Sequence, residues 1–279
     1  METAPPHEIF LVPRQFPTIQ AALDAVEGPT TIVVEPGLYA ETVHVIGRPY
    51  VVIQSSRLSR RGVTLSGAGG PAVLRVDRSA LHLSGIEIRS KARSRGVLAV
   101  NSSLSLQESV VAGNAVDDRS GEPFGGGMLC RDSRVRIQKS VITGNVVDRG
   151  LVGAAGGGGL FFQDCQVEIA GSTVQANTVY AVSHARGGGI WCERSALRMW
   201  RSRVTDNALH AASCEGAGIL LKAPLDCQLG GSVITGNGSP RGRGGGIFVA
   251  EDGEGDSARV NIHRNTVVRQ NHPTDIDFG

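Results

Sequence analysis

Four side chains that could transfer protons fall at comparable places in successive segments of this chain. Asp118, Asp148, His184 and His210 each lie within a few residues after an asparagine. Histidine beside a carboxylate is the commonest arrangement for general acid–base catalysis near neutral pH. If the segments stack, these side chains can meet, and we predict that they form a catalytic group. The alternative is that both histidines are ordinary loop residues.

A second set of residues suggests a binding surface on strands that begin with glycine. Side chains alternate between the two faces of a strand, so every second residue of these strands should point outward. The outward set is apolar or aromatic: Leu129, Phe161, Trp191, Leu220 and Phe248. We call these five residues the apolar stripe. We predict that they bind substrate together with Tyr180 and Arg186 from the loops after the asparagines.

The apolar stripe cannot be left in water, because exposed apolar patches of this size mark a site or an interface. Three explanations are open. The loops after the asparagines could fold over it, a second copy of the chain could cover it in a homo-oligomer, or it could line a pocket for a ligand. The first and the third are compatible.

The elements that would position these residues repeat along the chain. Asparagines at 114, 145, 177, 207, 237 and 271 are 31, 32, 30, 30 and 34 residues apart. Each interval contains three short β-type runs and no helical periodicity. A three-strand unit cannot bury its own inner face, so it must stack on its neighbours. We therefore predict an all-β solenoid, with the asparagines in a structural ladder at one corner.

The first hundred residues continue the same pattern in a less regular form. Strand-like runs such as Ile32–Val34 and Val51–Ile53 lie between turns. Before them, residues 16–27 have apolar residues at helical spacing, with Thr18 placed to cap the helix. We predict a single domain over 1–279, with a capping helix at 16–27 and the most regular coils at 104–271.

The segments Phe16-Pro17-Thr18-Ile19-Gln20-Ala21-Ala22 and Ile32-Val33-Val34-Glu35-Pro36-Gly37-Leu38-Tyr39 resemble the opening of the pectin-lyase-like superfamily, notably of pectin methylesterases. The resemblance extends through the repeats and implies a right-handed parallel β-helix with one strand per sheet in each coil. It implies fold more specifically than activity, because the superfamily contains lyases, hydrolases, esterases, epimerases and non-enzymatic proteins. The catalytic motifs of pectin methylesterases and polygalacturonases are not matched in this sequence.

Composition narrows the possible partners. The chain has 28 basic and 26 acidic residues, a net charge of +2, so we expect no nucleic-acid partner. It lacks a secretory signal and a long apolar run, which predicts a cytoplasmic protein that does not bind membranes. Five cysteines without a CxxC pair indicate no metal site, and we expect no cofactor. We assign the cysteines to the core, with Cys214 the one that could be reactive.

Three functions remain open from the sequence. The first is a carbohydrate-active enzyme of the lyase, hydrolase or epimerase type, with its site between the loops and the glycine-led strands. The second is a cytoplasmic isomerase or cyclase that acts on a small apolar molecule through the loop histidines and aspartates. The third is a non-catalytic solenoid that binds or scaffolds.

Overall fold

The short β-branched runs form parallel strands that wind around one common axis. We describe them in a computed structural model over residues 7–56, 62–67, 69–117, 122–150, 153–250 and 259–279. Within these ranges the chain forms a short helix, Ile19–Asp24, and strands in five parallel sheets. Three long sheets make the right-handed β-helix, which confirms the predicted all-β solenoid.

Most coils give one strand to each long sheet, and each strand pairs with the equivalent strand of the next coil. Sheet 1 contains Glu8–Val12, Thr30–Val34, Val51–Ser55, Ala80–Ser84, Ser103–Gln107, Arg134–Gln138, Gln166–Ala170, Ala196–Trp200, Asp226–Gly230 and Arg259–Ile262. Sheet 2 contains Gly37–Tyr39, Val63–Leu65, Ile86–Ile88, Val110–Ala112, Val141–Thr143, Thr173–Gln175, Arg203–Thr205, Val233–Thr235 and Val267–Arg269. Sheet 3 contains Val43–Ile46, Ala72–Asp77, Arg95–Val100, Met128–Arg131, Leu160–Gln163, Ile190–Glu193, Ile219–Lys222, Ile247–Ala250 and Ile276–Phe278.

One apolar core fills the β-helix. In a single coil, Met128 and Cys130 from sheet 3, Val135 and Ile137 from sheet 1 and Ile142 from sheet 2 are all buried in it. Equivalent residues of neighbouring coils lie side by side in register, as Val135 and Val167 do. Burial of an aliphatic side chain contributes about 1.5–3 kcal/mol, so stacking supplies the stability that a single coil lacks.

The predicted asparagine ladder is present at the corner that follows sheet 2. The Asn145 backbone N–H and its Nδ2 both donate to Oδ1 of Asn177, at 3.0 and 2.9 Å. Asn145 Nδ2 also donates to the carbonyl of Val111 at 3.0 Å. The same bonds link the buried rungs Asn114, Asn145, Asn177 and Asn207, and they continue through Asn237 to Asn271. These bonds satisfy backbone groups that the sharp corner leaves outside the sheets.

Two further ladders, made of serines, were not predicted. Between sheets 1 and 2, the N–H of Ser140 donates to Oγ of Ser172 at 3.1 Å, and Ser109, Ser202 and Ser232 continue the pattern. Between sheets 3 and 1, Ser79, Ser102, Ser133 and Ser195 form similar bonds, and Cys165 takes one position. Each corner of the β-helix therefore has its own line of side chains that bond to backbone.

The N-terminal helix covers the first coil, as predicted, but it spans Ile19–Asp24 rather than 16–27. Thr18 accepts from the Ala21 N–H at 3.0 Å, and the two Oε atoms of Glu41 accept from the N–H groups of Ile19 and Gln20, each at 2.9 Å. These caps fix the start of the helix. Its apolar face is buried against the core, and no helix in the described ranges is long and apolar enough to cross a bilayer.

At the other end, a carboxylate terminates the asparagine ladder. The N–H and Nδ2 of Asn271 both donate to Oδ1 of Asp275, at 3.0 and 2.9 Å. Asp275 thus supplies the acceptor that a following asparagine supplies elsewhere. Asn271, the last rung, therefore makes the same two hydrogen bonds as the other rungs although no further asparagine follows it.

Candidate functional site

The loops that follow the corner asparagines form two more parallel sheets outside the β-helix. Sheet 4 contains Ala115–Asp117, Val146–Arg149, Thr178–Ala181 and Ala208–His210. Sheet 5 contains Ala154–Gly156, His184–Arg186 and Ser213–Glu215. Their inner residues build a small second core that contains Val147, Val179, Leu209, Ala155, Ala185 and Cys214.

This added layer buries the apolar stripe. Its five residues are only 1–4% exposed and form a separate cluster with Phe124 packed against it. Trp191 meets the ring of Phe161 edge-on at 4.9 Å, and the Arg186 guanidinium lies 5.9 Å from the centre of its indole. Of the three explanations, the structure shows the first: the loops fold over the stripe.

The predicted substrate-binding role of Leu129, Phe161, Trp191, Leu220 and Phe248 therefore has no exposed surface on which a ligand could lie. In this structure the five residues pack the loop layer onto sheet 3. The same burial leaves the stripe no surface for a second copy of the chain. The space predicted between the loops and the glycine-led strands is filled by side chains.

The predicted catalytic residues are not brought into one group. Asp148 lies beside Tyr180 in sheet 4, and Tyr180 lies beside His210, so two strand spacings, about 10 Å, separate Asp148 from His210. His184 belongs to sheet 5, where its strand neighbours are Ala154 and Ser213. Among the described residues no hydrogen bond joins either histidine to Asp148, while Asp118 lies outside those residues. This geometry favours the alternative that both histidines are loop residues.

Two loop residues predicted to bind substrate have identifiable partners. The ring of Tyr180 stacks on that of His210 at 4.8 Å with an interplanar angle of 10°, and the tyrosine remains 45% exposed. Arg186 Nε donates to an oxygen of Glu215 at 2.8 Å. Arg186 thus lies between the Glu215 carboxylate and the Trp191 ring, and its contact with Trp191 joins sheet 5 to sheet 3.

All five cysteines are buried and unpaired. Burial raises the pKa of Cys165 and Cys227 to about 11 and raises the pKa of Cys130, Cys192 and Cys214 as well. The thiolate is the reactive form of cysteine, so these groups are protected. Cys214, which the sequence marked as the one that could be reactive, lies in the second core, and its burial and raised pKa argue against reactivity.

We expect the five thiols to resist a disulfide reagent in the native protein at mildly alkaline pH and to react fully in denaturant. Because an unfolded thiol titrates near pH 8.5, the unfolded chain loses these protons first. Stability should then fall as the pH rises from there towards the value of about 11 reached by Cys165 and Cys227. Thiol titration and thermal melts over this range measure both effects; rapid labelling of the native protein would contradict the burial.

A column of charged side chains, which was not predicted as a site, lies on the outer face of sheet 1. Arg136, Glu168 and Arg198 occupy equivalent outward positions on three successive coils. Arg136 donates from Nε and Nη2 to one oxygen of Glu168, at 3.0 and 2.9 Å. Arg198 Nη2 lies 3.4 Å from Asp226, and Arg134 Nη2 donates to Gln166 at 3.0 Å.

Most of these side chains line one of two hollows on the outer face of sheet 1, and we call the two hollows together the sheet 1 groove. The first, of about 590 Å³, is lined by Ser103, Leu104, Ser105, Arg134, Val135, Arg136, Gln166, Val167, Glu168, Ala196 and Arg198. The second, of about 690 Å³, is lined by Gln107, Gln138, Lys139, Ala170, Gly171, Trp200, Arg201, Gly230, Gly231 and Asn265. Five cations and one carboxylate line the two hollows, and Glu108 and Asp226 pair with Lys139 and Arg198 at the rim, so two positive charges remain in excess.

Trp200, at the end of its sheet 1 strand, is the aromatic residue of this groove. It is partly exposed, unlike Trp191, and its ring lies 4.9 Å from that of His263. Indole offers a flat apolar surface, guanidinium groups bind carboxylates through paired hydrogen bonds, and amides bind hydroxyls. The carboxylate of Glu168 is held by Arg136, so the arrangement is suited to binding. In the described part of the chain, no three His, Cys, Asp or Glu residues are grouped to hold a metal ion.

A signal for this groove was present in the sequence. The middle residues of the strands Val135–Ile137, Val167–Ile169 and Leu197–Met199 are charged, and Trp200 follows at the next outward position. The alternation that predicted the apolar stripe on sheet 3 predicts this charged column equally well.

Comparison with known proteins shows likeness in structure only. No family model matches the chain, and no curated protein matches its sequence. A pectin methylesterase solved in complex with a hexasaccharide has a TM-score of 0.50 and 10% sequence identity, over 94% of each chain. Pectin methylesterase from carrot has a TM-score of 0.40 and 11% identity, over 96% of this chain and 90% of that one. PemA from Erwinia chrysanthemi has a TM-score of 0.42 and 10% identity, over 95% and 94%.

The likeness to the first of these structures confirms the fold that the opening segments imply: the chain folds as a parallel β-helix, as that pectin methylesterase does. At such low identity the likeness extends to the fold, and the chemistry of the chain has to be argued from its own residues.

Proposed function

We propose that this chain is a carbohydrate-active β-helix protein that binds an acidic saccharide chain in the sheet 1 groove. The observation that carries the proposal is the composition of the groove: five cations and one partly exposed tryptophan on an open face. The likeness in fold to a pectin methylesterase solved with a hexasaccharide supports the same class of ligand.

The charges of the groove suit a ligand with repeated carboxylates. Arg136 and Arg198 are two coils apart, a separation of about 10 Å. Each has donors beyond those used in its ion pair, and a guanidinium can accept a carboxylate through two parallel hydrogen bonds. Glu168 lies between the two arginines and would accept from sugar hydroxyls.

The stacking of coils sets the direction of the proposed ligand. Equivalent outward positions follow one another across the strands, from Gln138 through Ala170 to Trp200. A saccharide chain that contacts both arginines therefore runs along the axis of the β-helix. Beside this path, two residues further along the strands, the second hollow has small residues at Ala170 and Gly171, which leave room for a sugar ring.

The proposal favours the carbohydrate-active class over an isomerase or cyclase for an apolar molecule. The apolar stripe that would have shaped such a substrate is buried. His184, His210 and Asp148 line neither hollow of the groove.

We expect the double substitution Arg136→Gln and Arg198→Gln to weaken binding of an oligogalacturonate at least tenfold, about 1.4 kcal/mol. Hydrogen bonds to charged groups contribute about 1.5–3 kcal/mol each, and part of that is recovered by water. Calorimetric titration at two salt concentrations measures the loss; the wild-type affinity should itself fall as salt rises, since the groove is open.

A matched control removes two exposed arginines from another face. Arg203 and Arg269 lie on sheet 2, so Arg203→Gln with Arg269→Gln makes the same change in net charge away from the groove. This control should bind like the wild type. Equal losses in both double variants would reduce the effect to net charge, and a wild type that binds no acidic saccharide would overturn the proposal.

A further inference from the structure

The position of Trp200 depends on the absence of a side chain in the next coil. Trp200 and Gly230 are register partners in sheet 1. A Cβ added to Gly230 would overlap Cζ3 and Cε3 of the indole. The benzene ring of Trp200 therefore occupies the space beside the Gly230 backbone that a side chain at position 230 would fill.

His263 bounds the indole on the C-terminal side. Its ring is tilted by 57° to that of Trp200. The histidine is held by its backbone: its N–H donates to the Leu229 carbonyl at 2.9 Å, and its carbonyl accepts the Thr266 N–H at 2.8 Å. Thr266 Oγ1 donates to the same Leu229 carbonyl at 2.9 Å. The turn that carries His263 is thus fixed to the coil beneath it.

The remaining side of the indole faces the second hollow of the groove. Its register partner in the preceding coil is Ala170, and Gly171 and Gly231 also line that hollow. Trp200 is partly exposed, and these small neighbours leave part of its ring open to the hollow. A flat apolar face is the surface on which the C–H side of a pyranose ring can pack.

We infer that Gly230 and His263 are positioning residues that hold Trp200 flat as a stacking platform for one sugar ring. This rests on the proposed function, because it assigns the platform to the same saccharide. It adds a selectivity: the ring over Trp200 must present C–H bonds on one face, while the arginines bind its acidic neighbours. Neither positioning residue contacts the sugar.

The experiment first measures the position of Trp200 without any sugar. The chain has two tryptophans, and Trp191 is only 3% exposed, so acrylamide quenching of fluorescence reports mainly on Trp200. We expect Gly230→Ala and His263→Ala to increase this quenching, because the indole is displaced from its seat. His263→Phe keeps a flat ring beside Trp200 and should quench like the wild type.

The second measurement is affinity for the same oligogalacturonate. Loss of one stacking contact corresponds to about tenfold weaker binding in Gly230→Ala and His263→Ala, with His263→Phe restoring affinity. Increased quenching with unchanged affinity would overturn the platform while Arg136→Gln with Arg198→Gln still tests the proposed function. Unchanged quenching in both variants would show that Gly230 and His263 do not position Trp200. If Gly230→Ala does not fold, His263→Ala and His263→Phe decide the question alone.

Discussion

Replacing Trp191 with alanine is expected to lower the free energy of unfolding by about 3–5 kcal/mol, the range for a large aromatic residue removed from a core. The indole packs against Phe161 and Phe124 and fills the space beside Gly156. Its Nε1 has no hydrogen-bond partner among the described residues, so the loss comes from packing and from the contact with the Arg186 guanidinium. Denaturant unfolding followed by circular dichroism measures it.

The second tryptophan provides the control. Trp200→Ala removes the same side chain from a partly exposed site outside both cores and should cost far less stability. The two variants should therefore separate: Trp191→Ala lowers stability, and Trp200→Ala weakens saccharide binding. If Trp191→Ala kept full stability and lost ligand affinity, the apolar stripe would line a pocket, as the sequence predicted.

Asn177→Ala is expected to cost roughly 3 kcal/mol, because several buried polar groups lose partners at about 1–3 kcal/mol each. Asn177 Oδ1 accepts from the backbone N–H and the Nδ2 of Asn145. Its own Nδ2 donates to the Ile142 carbonyl and to Oδ1 of Asn207. Thermal unfolding measures the change, and saccharide affinity should be unaffected because the corner is remote from sheet 1.

Asn114→Ala is the matched control for this ladder. Asn114 is as fully buried as Asn177, yet its Oδ1 accepts no hydrogen bond from the described residues. Its removal takes one donor from each of two carbonyl oxygens but leaves no backbone N–H without its acceptor. We expect a smaller loss than for Asn177→Ala. Equal losses would mean that side-chain volume, rather than the ladder, sets the cost.

Periodicity in the sequence predicted the features that repeat in every coil. The spacing of the asparagines, the alternation in strands such as Val135–Ile137 and the capping position of Thr18 each depend on local chemistry. The serine ladders were not predicted, because a serine beside a short strand, such as Ser140, is also typical of ordinary turns. Their function depends on the next coil, which a single repeat does not reveal.

The sequence predicted loops where the structure has the strands of sheets 4 and 5. Val147, Val179 and Leu209 follow their asparagines by two residues, a regular apolar column that indicates a further strand. The segments were interpreted as loops because they are short and carry charges at Asp148 and His210. Sheets 4 and 5 pack their inner residues against each other in the second core, and this is a tertiary contact that a single segment does not reveal.

The groove was overlooked for a different reason. A large apolar stripe exposed to water indicates a binding site or an interface, and this is why the stripe on sheet 3 was predicted to bind substrate. Arg136 and Arg198 do not by themselves indicate a site, because charged residues are normally exposed on protein surfaces. Their meaning emerges only when the coils bring them together beside Trp200.

The ends of the asparagine ladder bear on how a chain of this kind can evolve in length. Each internal rung donates and accepts the same hydrogen bonds. If the coil that carries Asn177 were deleted, Asn145 could therefore bond to Asn207 as it now bonds to Asn177. Duplication or deletion of one whole coil in the gene therefore leaves matched partners at this corner. Only Asn114 and the pair of Asn271 with Asp275 have contacts that belong to an end. Selection on those few residues is enough to preserve the corner while the number of coils between them drifts.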